Sequence, residues 1–404
     1  MPFVQKNNKK GIIVGCGIAG PALAIFLHRI GVDAEVYERR NAPSDFGVLT
    51  LTSNCIRILK LLEIYDKLQV DDNFKMLFYS GNGKFLSTLN YGSEIKKQNQ
   101  DGAILVKRKL LSQTLIDKAK FHGIKINFGK ELVKIEESEN KITAFFEDRT
   151  TTEGDFLIGC DGLHSKTRTI IHPNGPFPKY TGSVAIGAEI NDSNEYELSP
   201  NTAHLTVAKH AFFGIFGLQD SIVWSEILPY PEIGLDEFKT MSSKQLTEKL
   251  FELHKDDDKK ILHHIVAAKN NYVKIPIYDL LHLPTWHKNS ICLIGDAAHA
   301  TSPEAGQGAS MSIEDSAVLA MCIRDIPNLE QAFSTFENLR KNRTEKIVKL
   351  AHDNLNNLTI SNPAKKFFRN ILLQFFLKRF SITNTNWIFS YKIDWNKKII
   401  PKTV

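Results

Sequence analysis

Cysteine is scarce and scattered: five in 404 residues, at Cys16, Cys55, Cys160, Cys292 and Cys322, with no C-x-x-C spacing. An odd, dispersed set is neither a disulfide framework nor a zinc site. The thiols are therefore expected to be reduced and mostly buried, in a cytoplasmic protein. The adjacent pair His263-His264 does not make a metal site either, because neighbouring side chains diverge on a strand or a helix. No internal repeat or low-complexity tract occurs. No recognised nucleic-acid-binding motif occurs. The net charge of +6 is spread along the chain, with local clusters at Lys6–Lys10, Lys107–Lys109 and Lys365–Arg369. So mild an excess suits an anionic cofactor or a membrane surface without requiring one. What is present is ordinary for a globular protein: 42% hydrophobic residues, enough for a sizeable core, in a length that suggests two or three domains.

One stretch organises the rest. Residues 10–40 read KGIIVGCGIAGPALAIFLHRIGVDAEVYERR. Gly11–Val14 form a short apolar strand, and Gly15, Gly17 and Gly20 spell G-x-G-x-x-G. The first glycine permits a sharp turn, the second lets a pyrophosphate approach the backbone, and the third lets the next helix lie close to the strand. That helix, about Pro21–Ile30, aims its unpaired N–H groups at the phosphate. Gly31 ends it, Ala34–Tyr37 form the next strand, and Glu38 closes the unit about 20 residues past the glycines, where an acid accepts bonds from ribose hydroxyls. The run Gly11–Leu27 also has the look of a signal peptide or membrane helix. Three glycines, Pro21 and a following strand ending in an acid favour the dinucleotide unit instead.

Further along, Arg39–Leu51 carries Pro43 and Gly47, which suit a loop, and Ser53–Leu62 has helical amphipathicity. Phe74–Leu89 predicts a hairpin around Ser80–Gly83, and Tyr91–Asp101 is polar and expected exposed. Ala103–Val106 predicts a strand and Lys109–Phe121 a helix. Lys125–Phe128 begins a further sheet element, and Leu132–Ile135 and Ile142–Phe146 form a meander. Residues 155–168, DFLIGCDGLHSKTR, give a buried strand and a polar turn. Between Tyr180 and Tyr278 strand-like runs recur, interrupted by one helix near Ser243–Lys255, which implies an antiparallel sheet of α+β character. The first pattern returns in Ser290–Ala320, followed by a helix over Leu329–Arg343. The fold class is therefore α/β: a Rossmann-like domain with a parallel sheet, an antiparallel-sheet α+β domain and C-terminal helices. The expected boundaries are 1–73, 100–178 and 282–345 for the first, 74–99 and 179–281 for the second, and 346–404 for the tail.

Three segments carry the chemistry. Beside the glycine turn stand Asp161-Gly162 with Ser165 and Arg168, and Gly295-Asp296 with the loop Pro303–Gly308. A carboxylate at the end of an apolar strand must be solvated or bonded, and the carboxyl ends of parallel strands are where ligands bind in open α/β sheets. Asp296 either holds a sugar or polyol hydroxyl or merely shapes the turn. The free N–H groups at Gly306–Gly308 either face a ligand atom that becomes negative or cap their own helix. Asp161 and Arg168 either serve a ligand or pair with each other to fix a turn. Phe212, Phe216 and Trp224 either line a substrate site or form core.

In their order and spacing these motifs resemble the FAD-dependent aromatic-hydroxylase-type monooxygenases, the p-hydroxybenzoate hydroxylase-like flavoproteins, over about Gly11–Leu350. GCGIAG at 15–20 with Glu38, CDGLHSKTR at 160–168 and GDAAHATSPEAGQG at 295–308 carry the resemblance. It implies FAD held by Gly15, Gly17, Ile18, Ala19, Gly20, Glu38 and Arg39. Asp296 would bind the ribityl or ribose region, and Gly306, Gln307 and Gly308 would lie beside the pyrimidine edge, with Pro303 near the reactive face. Arg108 would reach the FAD from the start of its helix, and Asp161 and Arg168 match a motif linked to both FAD and NAD(P)H. The implied reaction uses NADPH or NADH and O2 and proceeds through a flavin C4a-hydroperoxide. It hydroxylates or epoxidises a small apolar or aromatic molecule held between the flavin and the middle sheet. No metal and no side-chain base is implied. His299 follows Asp296, but with no nameable partner it is taken as packed beneath the loop.

The resemblance has gaps. Residues 43–53 stand where many relatives carry G-x-G-I-x-L-x-P-N, of which Gly47, Leu49, Leu51 and Asn54 remain, and an arginine expected there is missing. A halogenase would need W-x-W-x-I-P, and Glu226 stands in place of its second tryptophan. A reductase on the same scaffold and a non-catalytic, membrane-docked flavin binder are the alternatives. The basic, apolar stretch 363–395 suits either an interfacial helix on anionic lipid or a helix packed on the body; its apolar runs are too short to span a bilayer. The protein is expected as a monomer or homodimer.

Overall fold

In the computed structural model, residues 7–42, 46–68, 70–139, 141–191, 198–269, 271–358 and 384–401 are described. The strands are β1 (Asn7–Val14), β2 (Val32–Glu38), β3 (Val48–Thr52), β4 (Lys75–Ser80), β5 (Phe85–Leu89), β6 (Ala103–Lys107), β7 (Ile126–Phe128), β8 (Leu132–Glu137) and β9 (Ile142–Phe146). They continue with β10 (Thr151–Gly154), β11 (Phe156–Gly159), β12 (Lys179–Ile190), β13 (Thr202–Val207), β14 (Phe212–Gly217), β15 (Ile222–Pro229), β16 (Val273–Asp279), β17 (His287–Lys288) and β18 (Ile291–Leu293). The helices are α1 (Ala19–Arg29), α2 (Ser53–Leu61), α3 (Tyr91–Asn99), α4 (Arg108–Phe121), α5 (Lys166–Ile171), α6 (Leu235–Thr240) and α7 (Ser243–Leu253). After them come α8 (Lys259–Ala267), α9 (Asp296–His299), α10 (Gly308–Asp325), α11 (Leu329–Leu358) and α12 (Asn386–Phe389).

Strand β1 is central in a six-stranded sheet of order β17-β18-β11-β1-β2-β7. It pairs in parallel with β11 and β2, which pair in parallel with β18 and β7. Only β17 runs antiparallel. A parallel sheet is covered on both faces, so its strands can be apolar throughout; Ile12, Ile13, Leu157 and Ile158 are fully buried. Leu23, Phe26 and Leu27 of α1 are also fully buried, each burial contributing roughly 1.5–3 kcal/mol. The carboxyl ends of β1, β11 and β18 lead into the glycine turn, Asp161 and Asp296 respectively.

The second sheet has seven strands in the order β16-β12-β15-β14-β13-β4-β5 and is antiparallel except where β13 meets β4. Alternation along these strands divides the side chains between two cores. Phe213, Ile215 and Trp224 pack on one face with Phe238, Leu246, Leu250, Ile261 and Ile265 from α6, α7 and α8. The other face meets β6, α10, α11 and α12 through Ala203, Leu205 and Val223, with Phe212 and Phe216 partly buried there.

Several local expectations change. Residues 48–51, expected as the end of a loop, belong to β3, because β6 offers an antiparallel edge from Ala103 to Lys107. Residues 91–101 were expected to be exposed, yet Tyr91–Asn99 is helix α3 with Gly92, Ile95 and Asn99 buried. Three helices rather than one interrupt the second sheet. Residues 126–128 join the edge of the parallel sheet, and α11 continues to Leu358. All five thiols are free and buried. Among the described residues no helix is long and apolar enough to cross a membrane. Of the tail stretch, residues 363–383 lie outside the described residues, while 384–395 pack on the body: Ile388 and Phe389 are buried, and the Trp395 ring lies 4.9 Å from Phe26.

Candidate cofactor and substrate site

The glycine turn is built by contact as well as by conformation. A Cβ on Gly15 would stand 2.3 Å from the Cys160 carbonyl oxygen, and one on Gly20 would stand 2.0 Å from that of Gly15, so neither position admits a side chain. A Cβ on Gly17 would meet nothing within 4 Å: the turn is closed toward the protein and open on its outer side. Ile18 caps α1 without a side-chain hydrogen bond, and no acid stands in the first turn. The amides of Gly17, Ile18 and Ala19 thus start a helix whose positive end has no side-chain cap and no acid in its first turn, the environment an anion seeks. The Glu38 carboxylate accepts from the backbone N–H of Cys16 at 2.8 Å and of Arg40 at 2.9 Å. Each oxygen keeps a lone pair for a further donor such as a ribose hydroxyl. Arg39 is exposed beside it.

The second segment is tied to the third. Asp161 accepts from Ser165 Oγ at 2.6 Å and from Thr167 N at 2.9 Å, and Ser165 Oγ accepts from Arg168 N at 2.8 Å as the cap of α5. Asp161 and Arg168 do not pair with each other: the Arg168 guanidinium donates to the carbonyls of Leu163 at 2.6 Å and Ala297 at 2.9 Å. Arg168 is thus a buried clasp between the Asp161 turn and the Asp296 helix. Burial lowers its pKa while Asp161 and Asp296 pull the other way.

Asp296 is half-buried at the start of α9, and among the described residues its carboxylate makes no hydrogen bond. A Cβ on Gly308 would stand 4.0 Å from Asp296 Oδ1, so the acid sits beside the N-terminus of α10. That helix also begins without a side-chain cap or an early acid. Gly306 holds a left-handed φ of +59°, which turns the chain from the Pro303–Ala305 turn into α10; Pro303 is exposed. The Gln307 side chain faces inward, donating to Thr52 Oγ1 at 3.0 Å and accepting from Asn54 Nδ2 at 3.0 Å. Only its backbone is left for a ligand. Arg108 begins α4, its N–H donating to Gly47 O at 2.8 Å; among the described residues its guanidinium has no partner. Ser112 Oγ, one turn further, donates to Gly17 O at 3.2 Å.

Sequence reasoning missed the scaffold beneath this site. His299, read as lacking a partner, bonds Asp315 Oδ2 through Nε2 at 2.6 Å. Arg340, fully buried, donates to Asp315 at 2.8 Å and to Glu314 at 2.7 Å. Glu314 also accepts from Arg343 and from Asn54. Burial alone would raise the Asp315 carboxyl, but His299 and Arg340 hold it down at about 2. The adjacent Glu314-Asp315 inside the apolar run MSIEDSAVLA was the available signal, since paired acids in an apolar helix need cations.

Of the aromatic candidates, Phe212 and Phe216 lie half-buried on the face that also receives Ala305. Trp224 does not join them. It is fully buried on the opposite face, stacked on Phe213 at 5.4 Å, because it alternates with Val223 along β15.

A parallel sheet with two uncapped helix starts at its carboxyl edge, and a second sheet that packs on α10 and the loop before it, fit the class of dinucleotide-dependent oxidoreductases. The family model described as "FAD binding domain" matches residues 9–351. The chain is 27% identical over 360 residues to a 6-hydroxynicotinate 3-monooxygenase of Pseudomonas fluorescens, covering 85% of this chain and 90% of that one. It is 26% identical over 358 residues to an FAD-dependent urate hydroxylase of Mycolicibacterium vanbaalenii, covering 84% and 86%. The structure of Klebsiella pneumoniae HpxO complexed with FAD and uric acid superposes with a TM-score of 0.84 at 20% identity, covering 96% of this chain and 98% of that one. The chain belongs to the FAD-binding-domain family of class A flavoprotein monooxygenases. Its activity is that of an FAD-dependent monooxygenase, for which FAD, NAD(P)H and O2 are the cofactors and co-substrates.

Proposed function

We propose that FAD lies across the carboxyl edge of the parallel sheet and that a small aromatic substrate sits between the loop 303–308 and the second sheet. The observation that carries this is the half-buried Asp296 carboxylate, which makes no hydrogen bond among the described residues and lies near two helix starts that have no side-chain caps of their own. The residues fit the cofactor: the open side of Gly17 and the amides of Ile18 and Ala19 suit a pyrophosphate, with Gly15 and Gly20 keeping the turn tight. Glu38 and Arg39 flank the adenosine end. Asp296 accepts from ribityl hydroxyls, and Arg108 supplies positive charge from the start of α4. The Gly306 N–H, expected to be free, donates to Pro303 O at 2.9 Å, so the amides of Gln307 and Gly308 are the ones that face the ring edge that gains negative charge on reduction, while Pro303 stands at the ring's face.

Bound FAD supplies the redox chemistry, taking reducing equivalents from NAD(P)H and activating O2 for insertion of one oxygen atom into the substrate. The chain's own work is binding, orientation and exclusion of water. Gln307 fixes the loop through Thr52 and Asn54, and Arg168 holds the Asp296 helix against the Asp161 turn. His299, buried and bonded to Asp315, is a positioning residue under the loop. The parallel-sheet layer and the second sheet act as cofactor and substrate parts. The test is Asp296→Ala, which removes a charge-assisted bond of about 1.5–3 kcal/mol. The purified variant should lose most of its flavin relative to protein by absorbance, and unchanged flavin content would remove this assignment.

A further inference from the structure

The face of the second sheet that meets the loop 303–308 carries a consistent chemistry. Phe46 and Val48 at the entry to β3, Phe212 and Phe216 on β14, and Ala305 on the loop are all partly buried against one apolar cluster. Two of the rings lie on bare backbone: a Cβ on Gly187 would stand 2.9 Å from Phe46 Cζ, and one on Gly214 would stand 2.9 Å from Phe216 Cζ. Glycine at those positions lets the rings press close against the strands, and partly exposed aromatic walls suit a stacked ring system.

The charges nearby are mostly negative. Glu189, on the same face of β12 as Gly187, pairs with Lys107 at 2.7 Å, and the same ammonium pairs with Asp220 at 2.8 Å. One cation therefore answers two carboxylates. Glu304, next to Ala305, has both carboxylate oxygens buried without a hydrogen-bond partner. Asp279, the acid that acts on it electrostatically, is itself bonded by His352 at 2.7 Å. Among the described residues the uncommitted cation beside this cleft is Arg108, next to Gly47, and its helix leans on the glycine turn at the cofactor end.

We infer that the substrate is an uncharged, mostly apolar fused-ring molecule without a carboxylate or other anionic group. This rests on the proposed position of the substrate between the loop and the sheet. An anion placed there would lose its hydration to apolar walls and, among the described residues, find as an uncommitted cation only Arg108, at the cofactor end. A neutral fused ring would bury its faces against Phe46, Phe212 and Phe216 at no such cost.

The test uses the purified flavin-loaded protein, titrated near neutral pH with 2-naphthol and with 6-hydroxy-2-naphthoate, and reads the perturbation of the flavin visible spectrum. The expected result is binding of the neutral ring at least about tenfold tighter than the carboxylate. Equal affinity, tighter binding of the carboxylate, or no binding of either overturns the inference. A protein that carries no flavin would instead sink the reading of the site itself, which separates the two failures. Phe216→Arg, a change at a half-buried position, should reverse the preference; where it does not fold, the wild-type comparison decides alone.

Discussion

Arg168 donates to the carbonyl oxygen of Ala297 at 2.9 Å, although 129 positions separate them in the chain. The other arm of the same guanidinium holds Leu163 O, so one side chain sets the spacing between the Asp161 turn and the Asp296 helix. Arg168→Lys keeps the charge but cannot reach two carbonyls with a planar fork. At least one charge-assisted bond is lost, about 1.5–3 kcal/mol. The variant should unfold at lower denaturant concentration than wild type and hold FAD less tightly. Wild-type values for both would show that the clasp is dispensable.

The pair Glu314-Asp315 shares one fully buried cation, Arg340, beside Arg343 on Glu314 and His299 on Asp315, and the pKa of Arg340 is raised because its two acidic partners outweigh the effect of burial. Removing one partner of a buried ionic cluster leaves the others uncompensated, at about 3–5 kcal/mol. Arg340→Met should therefore accumulate poorly as folded protein. Adding Glu314→Gln and Asp315→Asn should recover much of the loss in a denaturant titration. A single variant as stable as wild type would contradict this account of the scaffold.

What the sequence disclosed and what it withheld divide along a physical line. The glycine turn, Glu38, Asp161 and Asp296 were legible because each answers a local requirement: a tight backbone, a strand end, a helix start. Strand β3 was not, since its identity comes from an edge at Ala103–Lys107 that local composition around Gly47 does not announce. Helix α3 was hidden likewise, because Gly92 is buried by contact with the backbone of Asp72 and Asn73. Trp224 shows the limit of periodicity. Alternation puts Trp224 and Val223 on opposite faces, yet nothing local says which face meets the loop. The Asn54–Glu314–Arg340 network joins three distant segments, so only the apolar run around Glu314 hinted that such partners exist.

His254 lies fully buried between Glu226 at 2.7 Å and Asp257 at 3.0 Å. Burial pulls its pKa down, but bonds to Asp257 and Glu226 outweigh that and raise it from 6.5 to about 9. The folded state therefore keeps a proton that the unfolded chain releases. The stabilisation is fully present below about pH 6.5 and is lost as pH rises through about 9. It amounts to about 3 kcal/mol. Denaturant midpoints should fall over that window in wild type and change less in His254→Gln; parallel profiles would rule this histidine out as the source.

Glu304 has the opposite problem: its carboxyl oxygens are buried and, among the described residues, neither has a partner at hydrogen-bond geometry. Burial raises its pKa from 4.5 to about 7, and nearby Asp279 adds to the shift while its own Ser302 and backbone contacts oppose it. Here too the folded state binds a proton more tightly than the unfolded one, so stability is highest below about pH 4.5 and falls as pH rises to about 7. Above that the folded protein carries an unpaired buried charge, at a cost of no more than about 3 kcal/mol. Glu304→Gln keeps the shape and cannot ionise. It should melt near the wild-type temperature at acid pH and several degrees higher at pH 8, a difference of about 4 °C or less for each kcal/mol in a chain this long. Identical melting at both pH values would mean that the Glu304 carboxylate finds a donor in the folded protein.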